Sequence, residues 1–410
     1  MSHNQGNANV RASAIGLERA QLLASFYTSI ACFPGSVLDS MGNIPFLSEI
    51  RRRRFDPVLK PYTHTSPAIE LSRLISLRAG FSNFTKHETG IFSIESAMRN
   101  IDKKVASTLS KAKRNNVSAV YAYEDGALFT FRRARQLGLK CFYDLPIGYW
   151  RTGRELLEKE KERWPEWAST IVGFKDSAAK LALKDEEINL TDCIFVASNF
   201  TARTLKDFPG KLPSVEVIPY GFPAVGNMRS YNYGPNSKAL KLLFVGSLSQ
   251  RKGIADLIAA VENIGPRVAL TIIGRKVTNE CSALNTALAK HTYIPSLPHH
   301  EILKIMRESD VLVFPSLFEG FGLVITEAMS QGTPVITTER TAGPDLIRHG
   351  ENGWLVEAGT THALQNTIEE ILAHPGLVEE MGTQAYYTAS ARPWEAYGNE
   401  LAAAIKKQIN

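Results

Sequence analysis

Two glutamates separated by seven residues stand out in VLVFPSLFEGFGLVITEAMSQGTPVI, residues 311–336. An apolar run typical of a buried strand ends at Pro315, a glycine-bearing loop continues to Gly322, and a helical pattern follows. The first turn of a helix presents N–H groups without intrahelical partners, and glycine lets an anion approach them. The segment predicts a phosphate site, with Glu327 placed to bind a ribose diol and Glu319 facing what lies beyond the phosphates. Two surface acids flanking an ordinary turn are the alternative.

A second candidate anion site lies in FVGSLSQRKG, residues 244–253. Gly246 ends the apolar run, and Arg251 and Lys252 come directly before a helical pattern that begins near Gly253. Two cations beside the amino terminus of a helix suit a diphosphate. A solvated Arg–Lys pair is the alternative, because most lysines and arginines lie on protein surfaces.

Both candidate sites follow strands of one predicted sheet. From Lys241 onward, short apolar runs alternate with segments of helical period. The predicted strands are KLLFVG, VALTIIG, TYI, VLVFP, PVITTE and GWLVE. Because strands covered on both faces are continuously apolar, the pattern predicts an α/β domain with a parallel, doubly wound sheet, which binds ligands beyond the carboxyl ends of its strands.

The first half predicts a second α/β domain with weaker periodicity. Its strand candidates are FYTSIACF, VSAVYAYE, LKCFYD, CIFVAS and VEVIP. We predict a first domain at residues 1–222, a linker rich in Gly, Pro, Asn and Ser at 223–240, and a second domain at 241–390. Residues 391–410 are predicted to form a helix that packs back toward the first domain. Residues 151–190 are highly charged and predict a solvated helical insertion.

Composition narrows the class of protein. The chain has 410 residues, 44% apolar and 21% charged, which is ordinary globular usage and enough for two or three domains. No apolar stretch approaches the roughly 18 residues of a membrane span. The four cysteines lack paired spacing and indicate neither a disulfide framework nor a zinc site. A net charge of +6 is too mild to indicate nucleic acid. The amino terminus has no apolar signal core, so a cytoplasmic location is expected.

The motifs of the second half follow one another in the order of a known enzyme family. VGSLSQRKG, LTIIGR, FPSLFEGFGLVITEAMSQGTPVI and AGPDLIRHGENGWLV resemble the donor half of the group 1, or family 4, retaining glycosyltransferases. The resemblance covers most of residues 241–375, and residues 191–222 resemble the segments that lead to the interdomain hinge. It implies the GT-B fold, two Rossmann-like domains facing a cleft. It also implies transfer of a hexosyl group from a nucleotide-diphosphate sugar to an acceptor hydroxyl, with retention of anomeric configuration, in glycan biosynthesis.

The resemblance also implies roles for donor-site residues. Glu319 would contact the hydroxyls of the donor sugar, Glu327 would hold the ribose, and Lys252 would neutralise the leaving diphosphate. Ser247 stands where the family commonly has arginine, so Arg251 is expected to substitute for it. Backbone contacts to sugar and phosphate are expected from Gly320, Phe321, Gly322 and Leu323. The base pocket is expected to be lined by Gly274, Arg275 and Ile294, beside Gly246.

The acceptor side departs from the family, which often has a histidine at a strand end of the first domain. The strands here read YAYEDGA and FYDLPIGYW and offer the carboxylates of Glu124, Asp125 and Asp144. One of them is predicted to bind or deprotonate the acceptor hydroxyl, and capping of the next helix is the alternative.

The polar loop at residues 3–16 offers three more acceptor-side candidates, unless it is a plain exposed terminus: Asn7, Asn9 and Arg11. The strand that should precede this loop is almost missing, which predicts either a trimmed first domain or a misassigned start codon.

The leaving diphosphate must be stabilised, and no Asp-x-Asp cluster suited to a metal stands out. We therefore expect no metal or other cofactor, with the helix dipole, Arg251 and Lys252 in place of a divalent ion. Front-face attack by the acceptor is the expected route, since no carboxylate is identified as a nucleophile on the opposite face of the sugar. The expected acceptor is a glycan or a lipid-linked molecule. The run Arg51 to Arg54 predicts contact with an anionic membrane, with a solvated loop as the alternative.

Other functions remain open on the same evidence. Ser247 and the missing histidine would suit a catalytically silent subunit that binds a sugar nucleotide or acts as a scaffold. A sugar-nucleotide epimerase or a phosphorylase on the same two-domain plan is a further alternative. A dehydrogenase is disfavoured, because no Gly-x-Gly-x-x-Gly follows the first strand of either half.

Overall fold

The computed structural model of the chain describes residues 1–36, 39, 53–172, 175–231 and 239–409. The strands are β1 (Phe26–Thr28), β2 (Thr63–Thr65), β3 (Ala119–Tyr123), β4 (Lys140–Leu145), β5 (Cys193–Val196), β6 (Ser214–Val217), β7 (Leu240–Val245), β8 (Val268–Ile273), β9 (Thr292–Ile294), β10 (Val311–Phe314), β11 (Val335–Thr338) and β12 (Trp354–Val356). The α-helices are α1 (Ala8–Arg19), α2 (Ala68–Arg78), α3 (Ile94–Arg114), α4 (Leu128–Gln136), α5 (Trp150–Arg163), α6 (Ala178–Asn189), α7 (Asn199–Thr204), α8 (Ile254–Ile264), α9 (Ser282–Lys290), α10 (His299–Glu308), α11 (Leu323–Ser330), α12 (Gly343–Leu346), α13 (Thr361–Ala373), α14 (Gly376–Ala391) and α15 (Trp394–Ile409). Short 3₁₀ helices span Pro57–Tyr62, Ser82–Thr85, Pro165–Thr170, Leu205–Asp207, Gln250–Lys252 and Gly265–Arg267.

The second half of the chain forms a six-stranded sheet in the order β12-β11-β10-β7-β8-β9, with every neighbouring pair parallel. All six strands predicted from the sequence are present. β10 and β11 are buried along their whole length, as strands covered by helices on both faces should be. The strand order reverses between β7 and β10, so the crevice at their carboxyl ends is the place where an open α/β sheet binds its ligands. The predicted α/β class with parallel sheets is confirmed.

The first half contains a four-stranded parallel sheet in the order β3-β4-β5-β6, and β1 and β2 pair in parallel beside it. Ser2 forms bridges to Tyr27 in β1 and to Ala122 in β3. Its N–H donates to the carbonyl oxygen of Tyr121 at 3.0 Å. The residues around Ser2 therefore join the two groups of strands, at the place where the sequence predicts a nearly missing strand.

The last helix, α15, packs lengthwise against α1. The helices approach most closely where Gly16 faces Gly398, and a methyl group on Gly398 would lie 2.5 Å from the carbonyl oxygen of Ala12. The two glycines therefore allow the backbones to touch, and α15 covers the first sheet together with α1. Among the described residues, no helix is both long and apolar enough to cross a lipid bilayer.

Residues 150–172, here called the bridging segment, run from the first domain onto the second. Trp167 near its end is buried in the core of the second sheet, with β7 and α8 around it. Thr170 is also fully buried. The prediction of a solvated insertion holds for the outer face of α5, where Glu155 and Lys159 are exposed, and is wrong for the end of the segment at Trp167 and Thr170. The many charged residues of the segment obscure the role of Trp167 in the sequence. A single tryptophan changes the composition little, although its side chain buries a large apolar area.

Candidate active site

The glycine-bearing loop after β10 leads directly into α11. Gly322 has φ of +90°, a left-handed conformation that glycine adopts without strain, and a methyl group there would lie 2.9 Å from the ring of Phe314. α11 begins at the next residue, Leu323, and the N–H groups of its first turn have no intrahelical acceptors. The loop thus places an anion-binding helix terminus at the carboxyl edge of the sheet.

The structure brings Glu319 together with the two cations that follow β7. Glu319 Oε2 accepts a hydrogen bond from Lys252 Nζ and lies 3.2 Å from Arg251 Nη1. Arg251 also donates to the carbonyl oxygen of Phe318 at 2.8 Å. The side chains of Glu319 and Lys252 are only 16% and 10% exposed. The two motifs predicted separately from the sequence therefore form one charged cluster.

Burial sets the electrostatics of this cluster. Loss of water lowers the pKa of the Lys252 ammonium, and the neighbouring Arg251 cation lowers it further. Burial also lowers the pKa of the Arg251 guanidinium. The Glu319 carboxylate supplies the negative charge that two partly desolvated cations require. An entering dianion could take over that role and release the carboxylate for other hydrogen bonds.

The backbone holds the cationic turn against the strand ends. Gly253 has φ of +71°, and a methyl group there would lie 2.9 Å from the carbonyl carbon of Pro315 and closer still to its oxygen. The carbonyl oxygen of Arg251 accepts hydrogen bonds from the N–H of Leu317 at 2.9 Å and from Ser316 Oγ at 3.2 Å. The two loops therefore form a single unit.

Glu327 lies on α11, more than a turn from its start, and has a partner that the sequence reasoning missed. His299, the first residue of α10, places Nε2 at 3.0 Å from Glu327 Oε1. This hydrogen bond raises the pKa of the His299 imidazole. The available signal was the position of His299 at the start of the helix after β9, where a parallel sheet delivers side chains to its ligand edge.

The predicted base-pocket residues meet at one edge of the sheet. The N–H of Gly246, after β7, donates to Ile273 at 3.0 Å, and the N–H of Gly274, after β8, donates to Ile294 at 3.0 Å. Arg275 is exposed beside them. The carbonyl oxygen of Ser247 accepts from the N–H of Ser249 at 2.9 Å, so this residue turns the chain toward the cations.

The loop residues Gly320 and Phe321 already use their carbonyl oxygens within the protein. That of Gly320 accepts from Ser198 Oγ at 2.6 Å and from Thr201 Oγ1 at 3.0 Å. That of Phe321 accepts from the N–H of Ala342 at 2.9 Å. The predicted backbone contacts to a ligand therefore rest on N–H groups of the loop and of α11.

Comparison with known families decides what kind of domain carries this site. Residues 231–388 match the family described as glycosyl transferases group 1. The second half of the chain is therefore similar to the group 1 glycosyltransferases. The match includes every residue of the Glu319 cluster as well as Glu327 and His299.

Curated proteins similar to this chain are distant in sequence. A glycogen synthase of Mycobacterium tuberculosis is 25% identical over 256 residues, which are 61% of this chain and 60% of that protein. The capsular polysaccharide biosynthesis glycosyltransferase CapM of Staphylococcus aureus is 29% identical over 236 residues, which are 52% of this chain and 60% of CapM. The chain thus spans about three fifths of the length of these relatives.

Solved structures resemble this chain over nearly its whole length. Sucrose-phosphate synthase from Thermosynechococcus elongatus has a TM-score of 0.64 at 17% identity, covering 97% of this chain and 92% of that one. Anabaena HepE in complex with UDP and glucose has a TM-score of 0.62 at 16% identity, covering 99% and 98%. At such identities the likeness concerns the fold, and it confirms the expected GT-B architecture.

On the acceptor side, the carboxylates after β3 are paired with lysines. Lys184 Nζ lies 3.0 Å from Glu124 and 3.3 Å from Asp125, and Lys180 Nζ lies 3.6 Å from Asp125. Burial raises the pKa of the Glu124 carboxyl, and Lys184 opposes that shift. Both predicted carboxylates therefore belong to a mixed-charge network of the first domain.

The alternative role of these residues, capping of α4, is taken by two other acids. Glu187 accepts from the N–H groups at 127 and 128, at 3.0 and 3.1 Å. Asp102 accepts from those at 129 and 130, both at 2.7 Å. The capping interpretation is wrong, because acids from α6 and α3 reach the helix terminus through the tertiary fold.

Asp144 does not face the cleft. Asp144 is only 3% exposed, and its carboxyl group accepts a hydrogen bond from Tyr121 Oη at 2.5 Å. Burial raises the pKa of this carboxyl to about 7. Alternation along β4 places Asp144 on the same face as Phe142, which α1 and α15 cover. The prediction that Asp144 acts on the acceptor hydroxyl is therefore contradicted by its burial.

The three predicted acceptor-side residues near the amino terminus lie in different surroundings. Asn9 is buried, and its Nδ2 donates to Tyr220 Oη at 3.2 Å. The ring of Tyr220 lies 4.8 Å from the ring of Phe321, measured between centroids. Asn7 is exposed and precedes α1. Arg11 donates to the carbonyl oxygen of Gly6 at 2.5 Å. Arg11 also lines a cavity of about 830 Å³ in the cleft, together with Leu323, Glu327 and His299.

The arginine run predicted to contact lipid is partly inside the protein. Arg51 and Arg52 lie outside the described residues. Arg53 is buried and forms an ion pair with Glu70, and Arg54 lies 3.2 Å from Asp39. Arg53 is therefore removed from the predicted patch, and contact with an anionic membrane stays a prediction.

One group within the described ranges has the ligand types of a metal site: His87, Glu88 and Asp176. His87 Nε2 lies 2.9 Å from Asp176 Oδ1. Lys180 Nζ lies 3.0 Å from the same oxygen. An ammonium group therefore already neutralises this cluster, which fits a cation poorly.

Proposed function

We propose that the protein transfers a hexosyl group from a nucleotide-diphosphate sugar to an acceptor hydroxyl, with retention of anomeric configuration. The observation that carries the proposal is the cluster of Glu319, Lys252 and Arg251 beside the first turn of α11. Cations and the N–H groups of a helix start at the same edge of a sheet suit a diphosphate, and a carboxylate next to the cations suits sugar hydroxyls. The match of residues 231–388 to the group 1 glycosyltransferases supports the same proposal.

The leaving group decides the rate of such a reaction. The bond from the anomeric carbon to the diphosphate oxygen breaks, and negative charge grows on the phosphates. Lys252, Arg251 and the N–H groups of α11 are fixed in place before the reaction, so they stabilise that charge without reorganising. When the diphosphate neutralises the two cations, Glu319 becomes available to the sugar. We propose that these groups replace a divalent ion, so that transfer is independent of metal.

The cavity of about 830 Å³ beside Glu327 supports a nucleotide sugar and an acceptor meeting in the cleft. Its volume lies in the range of small-molecule sites, roughly 300 to 1,000 Å³. Apolar side chains from the first domain and from α15 line one wall, among them Ile15, Phe55 and Trp394. We propose that this wall faces the acceptor, which suits a lipid-linked molecule or the apolar face of a glycan. Attack on the side from which the diphosphate departs would give retention.

A donor panel tests the proposal. Nucleoside diphosphates and their sugars are screened for thermal stabilisation, beginning with UDP-glucose, because a ligand that binds only the folded state raises the melting temperature. Release of nucleoside diphosphate is then measured with candidate acceptors. Lys252→Gln should lower the rate by roughly a hundredfold, the cost of one transition-state charge contact.

The control is Lys290→Gln. Lys290 pairs with Glu262 at 2.7 Å on the exposed surface of the same domain, so its loss should change the rate less than twofold. Equal effects of the two substitutions, or no stabilisation by any nucleotide sugar, would contradict the proposal. NMR of the product gives the anomeric configuration, and an inverted product would overturn retention.

A catalytically silent subunit is the second candidate, favoured by Ser247 in place of the family arginine and by the lysine pairing of Glu124 and Asp125. It predicts donor binding without transfer to any acceptor. An epimerase would change the donor sugar when no acceptor is present. The same panel separates the three functions.

A further inference from the structure

The bridging segment ends against the turn that carries the proposed diphosphate cations. Ser249 Oγ donates to the carbonyl oxygen of Thr170 at 2.7 Å. The N–H of the next residue, Gln250, donates to Thr170 Oγ1 at 2.9 Å. All three residues are buried. Thr170 thus holds two consecutive residues of the turn directly before Arg251 and Lys252.

A buried polar network extends this contact to the start of α8. Gln250 accepts from the N–H of Ala255 at 2.9 Å and donates to Glu160 at 3.1 Å and Asp256 at 3.2 Å. Arg163 completes the network with two hydrogen bonds to Asp256, at 2.7 and 2.6 Å, and three to Glu160, at 2.7, 3.1 and 3.2 Å. Two carboxylates with little exposure to water therefore share one guanidinium and one amide, a well-satisfied arrangement that fixes the turn.

The other end of the bridging segment is fixed to the first domain. The N–H of Tyr149, just before the segment, donates to Thr204 Oγ1 at 2.8 Å. Thr152 Oγ1 donates to the carbonyl oxygen of Thr204 at 3.0 Å. Arg151 pairs with Asp185 at 2.7 Å. Helix α5 and the 3₁₀ helix at Pro165–Thr170 therefore connect α6 and α7 of the first domain to the cationic turn of the second.

We propose that Thr170 and Arg163 are positioning residues for Arg251 and Lys252, through which the first domain sets the geometry of the diphosphate site. This inference rests on the proposed function. Neither residue touches the ligand site itself. Both act on the backbone at 249–250 and on the start of α8, and a small displacement of that backbone moves two cations away from the leaving phosphates.

The test compares Thr170→Val with Thr170→Ser. Valine keeps the shape of threonine but lacks the oxygen that accepts from Gln250, whereas serine keeps that oxygen. Thr170→Val should weaken binding of the nucleoside diphosphate about tenfold, the worth of one buried hydrogen bond, and Thr170→Ser should stay within about twofold. The matched control is Thr367→Val on α13, which removes a hydroxyl that donates to Ala363 at 3.0 Å far along the chain from the turn.

Titration calorimetry measures the affinities for UDP, ADP and GDP and, in parallel, for the corresponding nucleosides. The comparison separates a displaced diphosphate site from general damage to the fold. In Thr170→Val, affinity for the diphosphate should fall while affinity for the nucleoside is unchanged, because only the phosphates reach the turn. Equal losses for both ligands, or no loss for either, would overturn the inference. If the unaltered protein binds no nucleoside diphosphate, the proposed function fails instead.

Ser249→Ala provides a second route if Thr170→Val does not fold. It removes the hydrogen bond that Ser249 Oγ donates to Thr170, together with the longer contact at 3.3 Å that the same oxygen accepts from the N–H of Arg251. The same selective loss of diphosphate affinity is expected, and an unchanged ratio of diphosphate to nucleoside affinity would overturn the inference.

Discussion

Replacing Gly253 by alanine should damage both the stability of the second domain and the diphosphate site. Gly253 has φ of +71°, which costs an alanine roughly 1 to 2 kcal/mol. Its new methyl group would also lie 2.9 Å from the carbonyl carbon of Pro315 and nearer still to the oxygen. Relief of such overpacking by backbone shifts costs about 1 to 3 kcal/mol. The expected loss in the free energy of unfolding is therefore about 2 to 5 kcal/mol.

Gly350→Ala is the matched control for this substitution. Gly350 has φ of +79° in the same domain, and a methyl group there would meet nothing within 4 Å. It should show only the conformational cost, about 1 to 2 kcal/mol. The difference between the two variants therefore measures the close approach of the cationic turn to the end of β10.

The assay is thermal unfolding followed by calorimetry, together with the rate of nucleoside diphosphate release. Gly253→Ala should lower the melting temperature by about 2 to 6 °C more than Gly350→Ala, because the overpacking cost of about 1 to 3 kcal/mol corresponds to about 2 °C per kcal/mol for a domain of this size. It should also lower the rate, because Lys252 is its neighbour in the chain. Equal melting temperatures for the two variants, or full activity of Gly253→Ala, would refute the reasoning.

Three further predictions concern burial and pH. The pKa of Asp144 is raised to about 7, so its ionisation destabilises the folded state as pH rises from about 4 to 7. In urea unfolding, the free energy of unfolding of Asp144→Asn should therefore rise by roughly 3 kcal/mol relative to that of the unaltered chain between about pH 5 and pH 8. A difference between the two that does not change with pH would contradict this prediction. The hydrogen bond to Glu327 raises the pKa of His299, so at low pH the imidazolium is paired with the carboxylate that is proposed to bind the ribose. The KM for the donor should therefore fall as pH rises through the raised pKa. His299→Gln should flatten that dependence of KM on pH. Phe318 packs within 3 Å of the places where methyl groups would stand on Gly148 and Gly153 of the first domain; Phe318→Ala should cost about 3 to 5 kcal/mol in unfolding, and a loss below about 1 kcal/mol would show that this interface is loose.

Local sequence patterns determined much of the second domain. Its strands are continuously apolar because helices cover both faces, so their existence and order could be predicted from short runs such as VLVFP. The glycines at 253 and 322 mark turns with positive φ, which glycine adopts without strain because it has no Cβ. Glu319 and the Arg251–Lys252 pair could be assigned to one ligand edge, because parallel strands deliver their last residues to the same side of a sheet.

Contacts between distant parts of the chain were decided only by the tertiary structure. No local pattern shows that Asp102 and Glu187 cap α4, that tyrosines and two helices enclose Asp144, or that Thr170 holds the turn at 249–250. A charged helix reads as solvated until the partner of each charge is known, as Arg163 and its buried acids show. The sequence by itself determined which strands form and where their ligand edge lies, because those depend on the local period of apolar residues. Which acids are buried, paired or available to a substrate depends on what other segments place beside them, and only the folded chain decides that.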